Sequence, residues 1–505
     1  MYTKKKNLHI FTLAVVLSFL CFSCAKKRSE QEKQKYPNIV VFLADDWSWP
    51  HASIYAESDS VIKTPTFDSI ARNGVLFTQA FTAAPSCAPS RAALLTGQYP
   101  HRLQDAANLW SNFPKKFPVY TSILEKAGYQ LGLSGKGWKP GNYETTGWKH
   151  NPAGKRYKNF ENFYKQKGEN KPFCFWFGSG DPHRPYVKDS GIRSGMDSSK
   201  VKVPPYLPDN EIVRKDILDY YYEVERFDRE VGEILDFLKE KGELENTLVI
   251  MTSDNGWPFP RAKANLYDEG THMPLAIMWA NQIEGGQVYD KFINSIDIAP
   301  TVLDAAHQPI LSDMNGRSIL RQLKGENQRD HVFTERERHA YVRMNNLGYP
   351  SRALRTDDYL YIRNIKPDRW PSGDPEEIFA VGPFGDVDGS PTKDYILSEQ
   401  RNFPASKKEG MEVYSYFDLA FKKRPAEELY DLEKDPYQIK NVAADPMYKE
   451  VIRNYRKSLD EWMVNTGDPR ATGDAKFDQY PYYGGNGGKG NGHGNVTGPP
   501  TKINK

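Results

Sequence analysis

The run Pro37-Asn38-Ile39-Val40-Val41-Phe42-Leu43-Ala44 is apolar over almost its whole length and stops abruptly at Asp45-Asp46. A strand with one wet face alternates apolar and polar residues, whereas a continuous run fits a strand covered on both faces, as in a parallel sheet between helices. Similar runs recur at Pro172-Phe173-Cys174-Phe175-Trp176-Phe177 and at Thr247-Leu248-Val249-Ile250-Met251. Before the latter, Val224, Phe227, Val231, Ile234 and Leu238 fall at helical spacing and are read as core. A further helix opens at Thr64-Pro65, with Thr64 as its cap and Pro65 in the first turn. Strands alternating with helices predict an α/β domain with a mostly parallel central sheet flanked by helices. Such sheets bind ligands at the carboxyl ends of their strands.

At 505 residues the chain is long enough for more than one domain, and a formal net charge of +3 gives no reason for nucleic-acid binding. Lys4, Lys5 and Lys6 precede an apolar run from Leu8 to Phe22, the pattern of a signal peptide, so export is expected. Cys24 closes that run in a context that resembles a bacterial lipoprotein processing site. Lipidation of Cys24 is one reading, and simple cleavage near Ala25 is the other. The polar stretch Lys26 to Lys35 then serves as a tether, and a lipid anchor is the only membrane contact expected. Only Cys87 and Cys174 lie in the folded body, so stability must come from the core rather than from disulfides if Cys87 is modified. The expected division is signal 1–24, tether 25–36, catalytic domain 37–350, a C-terminal subdomain 351–475, and a Gly- and Asn-rich tail 476–505 without material for a core. The sequon at Asn495 in that tail is read as chance.

Asp45 and Asp46 end the first apolar run, and Ser253-Asp254-Asn255-Gly256 ends a later one. Three carboxylates and an amide converging at strand ends suit a hard divalent cation, and this ligand set alone permits calcium or magnesium. Gly178-Ser179-Gly180-Asp181-Pro182-His183-Arg184-Pro185 follows another apolar run, and His183 is of a residue type suited to proton transfer. Cys87-Ala88-Pro89-Ser90-Arg91 leads into Ala92-Ala93-Leu94-Leu95-Thr96-Gly97, which reads as a buried helix with a tight entry at Pro89.

The Cys87 to Gly97 segment resembles the signature of the formylglycine-dependent sulfatases, members of the alkaline-phosphatase-like superfamily. The resemblance implies that a maturation enzyme oxidises Cys87 to formylglycine (3-oxoalanine). Its hydrate attacks sulfur with one hydroxyl and expels sulfate through the other. It implies that Asp45, Asp46, Asp254, Asn255 and residue 87 hold Ca²⁺, with Mg²⁺ as the alternative, and that Arg91 steadies the modified residue. Lys136, in Leu133-Ser134-Gly135-Lys136-Gly137, and Lys263, in Lys263-Ala264-Asn265-Leu266-Tyr267, match two sulfate-binding lysines. His183 matches the residue that protonates the leaving group. One departure stands out: many sulfatases carry a histidine two residues after the first lysine, where this chain has Trp138. Its expected contact is then missing or supplied from elsewhere, and Trp138 becomes a candidate for stacking on sugars. After about Arg352 the shorter runs Tyr359 to Ile362 and Glu428 to Leu432, and a helix from about Pro446 to Val464, look like the family's small C-terminal domain, an antiparallel sheet with a packed helix.

Within the family the chain is most similar to the heparan N-sulfatase branch, between about residues 37 and 470. The narrower matches are Asp181-Pro182-His183-Arg184, Pro258-Phe259-Pro260 after Asp254-Asn255-Gly256, Asn265-Leu266-Tyr267, Tyr349-Pro350 with Arg352, and Trp462 followed by Asp468-Pro469. This branch implies a terminal N-sulfoglucosamine whose hydroxyls are read by Asp181 and Arg184, with Arg338 and His339 as further candidates, and a periplasmic or membrane-anchored bacterial enzyme of glycosaminoglycan degradation. The rival readings are an O-sulfatase acting on another glycosaminoglycan or an algal polysaccharide, a phosphonate or phosphodiester hydrolase, and a non-catalytic glycan-binding lipoprotein. Direct attack by the Cys87 thiol lacks an obvious neighbouring base.

Overall fold

The computed structural model describes residues 36–55, 58–169, 171–376, 382–399, 415–473 and 476–484. The signal, Cys24, nearly all of the tether and the Asn495 sequon lie outside the described residues. The central sheet has seven strands: β1 (Asn38–Ala44), β2 (Val75–Phe77), β3 (Gln130–Gly135), β4 (Phe173–Gly178), β5 (Thr247–Ser253), β6 (Leu275–Met278) and β7 (Gln287–Tyr289). Their spatial order is β7-β2-β6-β5-β1-β4-β3. The four strands from β5 to β3 are mutually parallel, and β6 joins β5 and β2 antiparallel.

Strand β1 explains why an unbroken apolar run was needed. Val40, Phe42 and Ala44 face one core with helices α1 (Pro65–Arg72) and α3 (Glu211–Glu240). Ile39, Val41 and Leu43 face the other, with α2 (Cys87–Thr96) and α4 (Ile298–Ala305). Both faces are dry, so the period-2 polar signal is absent. Thr64 does not cap α1 as expected. Its hydroxyl bonds Ser53 and Asp68, while the free amides of Thr66 and Phe67 donate to Asp228 on α3 at 2.9 and 2.8 Å. A carboxylate from a packed helix does the work of a cap.

A second, antiparallel sheet runs β8 (His331–Arg336), β9 (Ser351–Thr356), β10 (Tyr359–Asn364) and β11 (Glu427–Asp431) in that order. Helix α5 (Lys449–Thr466) lies on it through Ile452, Leu459, Trp462 and Met463. Because β8 pairs with β9, the small sheet starts about twenty residues before the boundary expected at residue 351. The expected tail is also shorter: residues 476–484 belong to the body, with Phe477 and Tyr482 buried and the carbonyl of Phe477 accepting from Asn108 at 2.8 Å. Aromatic residues supply there the core material that the surrounding glycines lack. Among the described residues no helix is long and apolar enough to cross a membrane.

Candidate active site

Sheet register gathers the site. Ala44 at the end of β1 stands opposite Ser253 at the end of β5, so Asp45-Asp46 emerge beside Asp254-Asn255. On the other side Leu43 pairs with Gly178, and Gly178 with Gly135, which brings the loops bearing Asp181-His183 and Lys136 to the same edge. Both glycines are required: a Cβ on Gly178 would lie 1.8 Å from the carbonyl oxygen of Lys136, and one on Gly135 2.0 Å from that of Gly178. Asp46 has a φ of 79°, a left-handed conformation costly for a non-glycine residue, and its backbone N–H donates to Asp254 at 3.1 Å. The N-terminus of α2 points Cys87 into this cluster, so the positive end of the helix dipole faces it.

The cluster is dense and dry. Asp45, Asp46, Asp254, Asn255, Cys87 and Arg91 are all at most 2% exposed. The thiol of Cys87 lies 3.3 Å from Asp45 Oδ1 and 3.9 Å from Asp46 Oδ1. Arg91 donates from Nε to Asp254 at 2.7 Å and from one terminal nitrogen to the carbonyls of Lys136 and Gly137 at 2.7 and 3.0 Å, with Asp45 3.5 Å from the other. Lys136 Nζ donates to both oxygens of Asp45 at 2.7 and 2.5 Å. Lys263 Nζ bonds Asp46 at 2.7 Å and Asp388 at 3.0 Å. His183 Nε2 stands 3.8 Å from Asp46 Oδ2, and its Nδ1 lies 2.5 Å from the carbonyl of Arg184. A carbonyl can only accept, so Nδ1 carries a proton and Nε2 is the nitrogen that takes up or delivers one.

Burial pushes the carboxyl of Asp254 up to about 6, with Arg91 opposing and Asp45 adding to the rise. Burial would raise Asp45 as well, but Lys136, His183 and Arg91 outweigh it and hold it well below the usual carboxylate range. Burial, reinforced by Asp45, pushes the Cys87 thiol well up, so an unmodified Cys87 stays protonated and is a poor nucleophile. The donor set fits a divalent cation. Carboxylate oxygens of Asp45, Asp46 and Asp254 and the Cys87 sulfur lie within 4.8 Å of one another, and Asn255 Oδ1 is buried with no hydrogen-bond partner among the described residues. Oxygen donors and crowded charge of this kind suit a hard ion such as Ca²⁺ or Mg²⁺.

The expected sugar-reading residues fare differently. Asp181 receives a bidentate pair from Arg226 of α3, both contacts 2.5 Å, beside a cavity of about 680 Å³ that neither Cys87 nor His183 lines. Arg184 is consumed by Asp216 at 2.7 and 2.9 Å and by the carbonyl of Pro258, and is stacked against Tyr186 and Phe259. A guanidinium so occupied holds the loop instead of reading hydroxyls. Arg338 is 1% exposed and donates to the carbonyls of Tyr480 and Pro481, clasping the C-terminal segment. His339 bonds Ser86 at 2.8 Å, behind Cys87, and burial lowers it to about 4. It supports the start of α2, with Lys263 and Asp388 among the charges that act on its ring. Trp138 is fully buried, packs edge-on to Phe113 and donates from Nε1 to the carbonyl of Ala88 at 3.0 Å, so it backs the helix and stacks on no sugar. Asp388 went unread in the sequence, its only signal being the acidic turn Asp386-Val387-Asp388-Gly389.

Comparison with known proteins agrees with this geometry. The sulfatase family profile matches residues 37–308, and that of the N-sulphoglucosamine sulphohydrolase C-terminal region matches residues 256–378. The human N-sulphoglucosamine sulphohydrolase is 29% identical over 483 residues, which cover 86% of this chain and 91% of that protein. An ulvan-active sulfatase of Formosa agariphila is 26% identical over 521 residues, 92% of this chain and 82% of the relative. A solved structure in complex with its substrate D-glucosamine-2-N,6-O-disulfate superposes with a TM-score of 0.62 at 19% identity, covering 87% of this chain and 100% of the other. The chain belongs to the sulfatase family, the enzymes that hydrolyse sulfate esters or sulfamates.

Proposed function

We propose that this protein removes sulfate from sulfated glycans, with the N-sulfate of a terminal N-sulfoglucosamine as its substrate. The observation that carries the reading is the buried group of Asp45, Asp46, Asp254 and Asn255, faced by Cys87 at a helix N-terminus and ringed by Lys136, Lys263 and His183. The family of the N-sulphoglucosamine sulphohydrolase C-terminal region supports the choice of substrate. Formylglycine at position 87 would supply the nucleophilic oxygen, and a divalent ion, Ca²⁺ with Mg²⁺ as the alternative, would neutralise charge at the sulfate. The side chains do the remaining work. Lys136 and Lys263 bring two ammonium groups to the rim of the carboxylates, where an anionic sulfate needs them. Arg91 fixes Asp254 and the Lys136 loop together. His183, with Nδ1 tied to a carbonyl, presents Nε2 to the leaving atom and gives it a proton.

The test pairs the mass of the Cys87 peptide, from protein made with a formylglycine-generating enzyme, with sulfate release from N-sulfated and O-sulfated glucosamine. Formylglycine together with release from the N-sulfated sugar is expected. Release from the O-sulfated sugar alone would replace the substrate, faster turnover of a phosphodiester would replace the reaction, and an unmodified Cys87 without release would leave a glycan-binding protein. Stripping divalent ions should abolish release and lower the melting temperature, and re-addition of Ca²⁺ or Mg²⁺ singly identifies the ion by which one restores both. The reading includes an exported lipoprotein anchored through Cys24, checked by membrane partition of the parent against Cys24→Ala.

A further inference from the structure

Asp388 enters the site from a distant part of the chain, on the loop that precedes the helix Pro391–Glu399. Its Oδ2 accepts from Lys263 at 3.0 Å, and the same ammonium lies 2.7 Å from Asp46. One oxygen each of Asp46 and Asp388 and a ring nitrogen of His183 lie within 4.8 Å of one another. That trio is not a second metal centre, because the Lys263 ammonium already stands between the two carboxylates. The Asp388 side chain is 27% exposed against 4% for Lys263, and its Oδ1 has no hydrogen-bond partner among the described residues. A carboxylate acceptor with a free oxygen therefore stands beside Lys263, within 4.8 Å of a ring nitrogen of His183.

The identity of the leaving atom decides what such an acceptor does. If His183 is to protonate that atom, the atom lies within hydrogen-bond reach of His183 and so close to the Asp388 carboxylate. A sulfate ester presents there an oxygen with lone pairs only, which a carboxylate repels. A sulfamate presents an N–H. We infer that Asp388 is a specificity-determining residue for nitrogen-linked sulfate, accepting the sulfamate N–H through Oδ1 while Oδ2 holds Lys263. The inference rests on the N-sulfatase reading given above.

The chemistry balances as R–NH–SO₃⁻ + H₂O → R–NH₃⁺ + SO₄²⁻. The sulfur–nitrogen bond breaks with its electron pair going to nitrogen, His183 supplies one proton to that nitrogen, the attacking hydroxyl oxygen of residue 87 would leave in sulfate, and the water would restore that hydroxyl. The product amine takes up a further proton, and the ammonium so formed is paired with Asp388. The same carboxylate thus favours the nitrogen substrate on entry and its ammonium product on release, which no ester substrate would profit from.

Asp388→Asn tests this against a role confined to positioning Lys263. The amide keeps an oxygen for Lys263 and turns an N–H₂ donor toward the leaving atom, a donor that suits an ester oxygen and opposes a sulfamate N–H. The substrates are N-sulfoglucosamine and its oxygen isostere, glucose 2-sulfate. Loss of one charged hydrogen bond predicts that kcat/KM for the sulfamate falls about tenfold to a hundredfold. The value for the ester should stay level or rise, and inhibition by glucosamine should weaken while inhibition by glucose is unchanged. An equal fall on both substrates, with both inhibitors unaffected, would reduce Asp388 to a positioning residue and overturn the inference while the N-sulfatase reading stands. A parent enzyme that does not release sulfate from N-sulfoglucosamine would overturn the reading first and the inference with it. Melting curves of parent and variant with the ion bound separate these outcomes from misfolding.

Discussion

At Arg91 one side chain answers three needs. Its guanidinium is fully buried, balances Asp254, approaches Asp45 and ties down the Lys136 loop through two carbonyls. Removing one partner of a buried pair leaves the other desolvated and unpaired, which costs about 3–5 kcal/mol. Arg91→Ala should therefore lower stability by that order in chelator. The loss should be smaller when the ion is present, because the cation takes over part of the charge on Asp254. Arg91→Lys, which keeps the charge but not the fork of donors, should fall between the two. Chemical denaturation with and without Ca²⁺ measures all three, and an Arg91→Ala protein as stable as the parent would show that the cluster does not need this charge. Glu269 is a second carboxyl pushed up, to about 8, by burial and the neighbouring Asp268. It is protonated in the folded state at neutral pH and has no salt-bridge partner among the described residues.

The elements show which contacts a sequence reports and which it does not. Trp138 links β3 to α2: its ring packs on Phe113 and its N–H reaches the carbonyl of Ala88, one residue beyond Cys87. Trp138→Ala should cost about 3–5 kcal/mol, whereas Trp138→Phe, which keeps most of the volume and loses the hydrogen bond, should cost nearer 1 kcal/mol. Urea titration separates them, and a loss of glycan affinity with unchanged stability would restore the stacking role. The β strands and the meeting of Asp45-Asp46 with Asp254-Asn255 at one edge of the sheet were legible because a doubly covered strand has no polar alternation and its in-register neighbour ends at the same level. The roles of Asp181, Arg184, Arg338 and His339 were not. Their partners, Arg226 and Asp216 on α3, the carbonyls at Tyr480 and Pro481, and Ser86, are set by packing across the molecule, which local pattern does not encode. Asp388 was hidden for the same reason, since nothing near Asp386-Val387-Asp388 in the chain announces Lys263.

Across the whole molecule, buried charge ties the small sheet to the rest of the body, and buried titratable groups make stability depend on pH. Arg352 of β9 bonds Asp468 at 2.6 Å and Glu337 at 2.8 Å, and Glu335 of β8 bonds His101 at 2.9 Å, so the small sheet is tied to the segment that follows α2. Two groups near the cleft pull the pH profile in opposite directions. Burial lowers His51 from 6.5 to about 3, while its Nδ1 rests on the hydroxyl of Tyr220. Between those values the unfolded chain binds the proton and the folded one does not. His51 therefore contributes fully above pH 6.5, and its contribution is lost as pH falls toward 3. Glu269 has the other sign: the folded state holds its proton up to about 8, so its contribution is lost as pH rises from the ordinary carboxylate range. Net stability can thus look flat while each term is large, and only variants expose them. From pH 7.5 to 5.5 the parent should lose about 1.4 kcal/mol relative to His51→Asn, and over the same interval it should gain relative to Glu269→Gln. Denaturant midpoints at the two pH values measure both differences. A parent-minus-His51→Asn difference that does not change with pH would mean that His51 is protonated or solvated in the fold, and that the aromatic wall of Tyr220, Tyr221 and Trp257 around it is open to water.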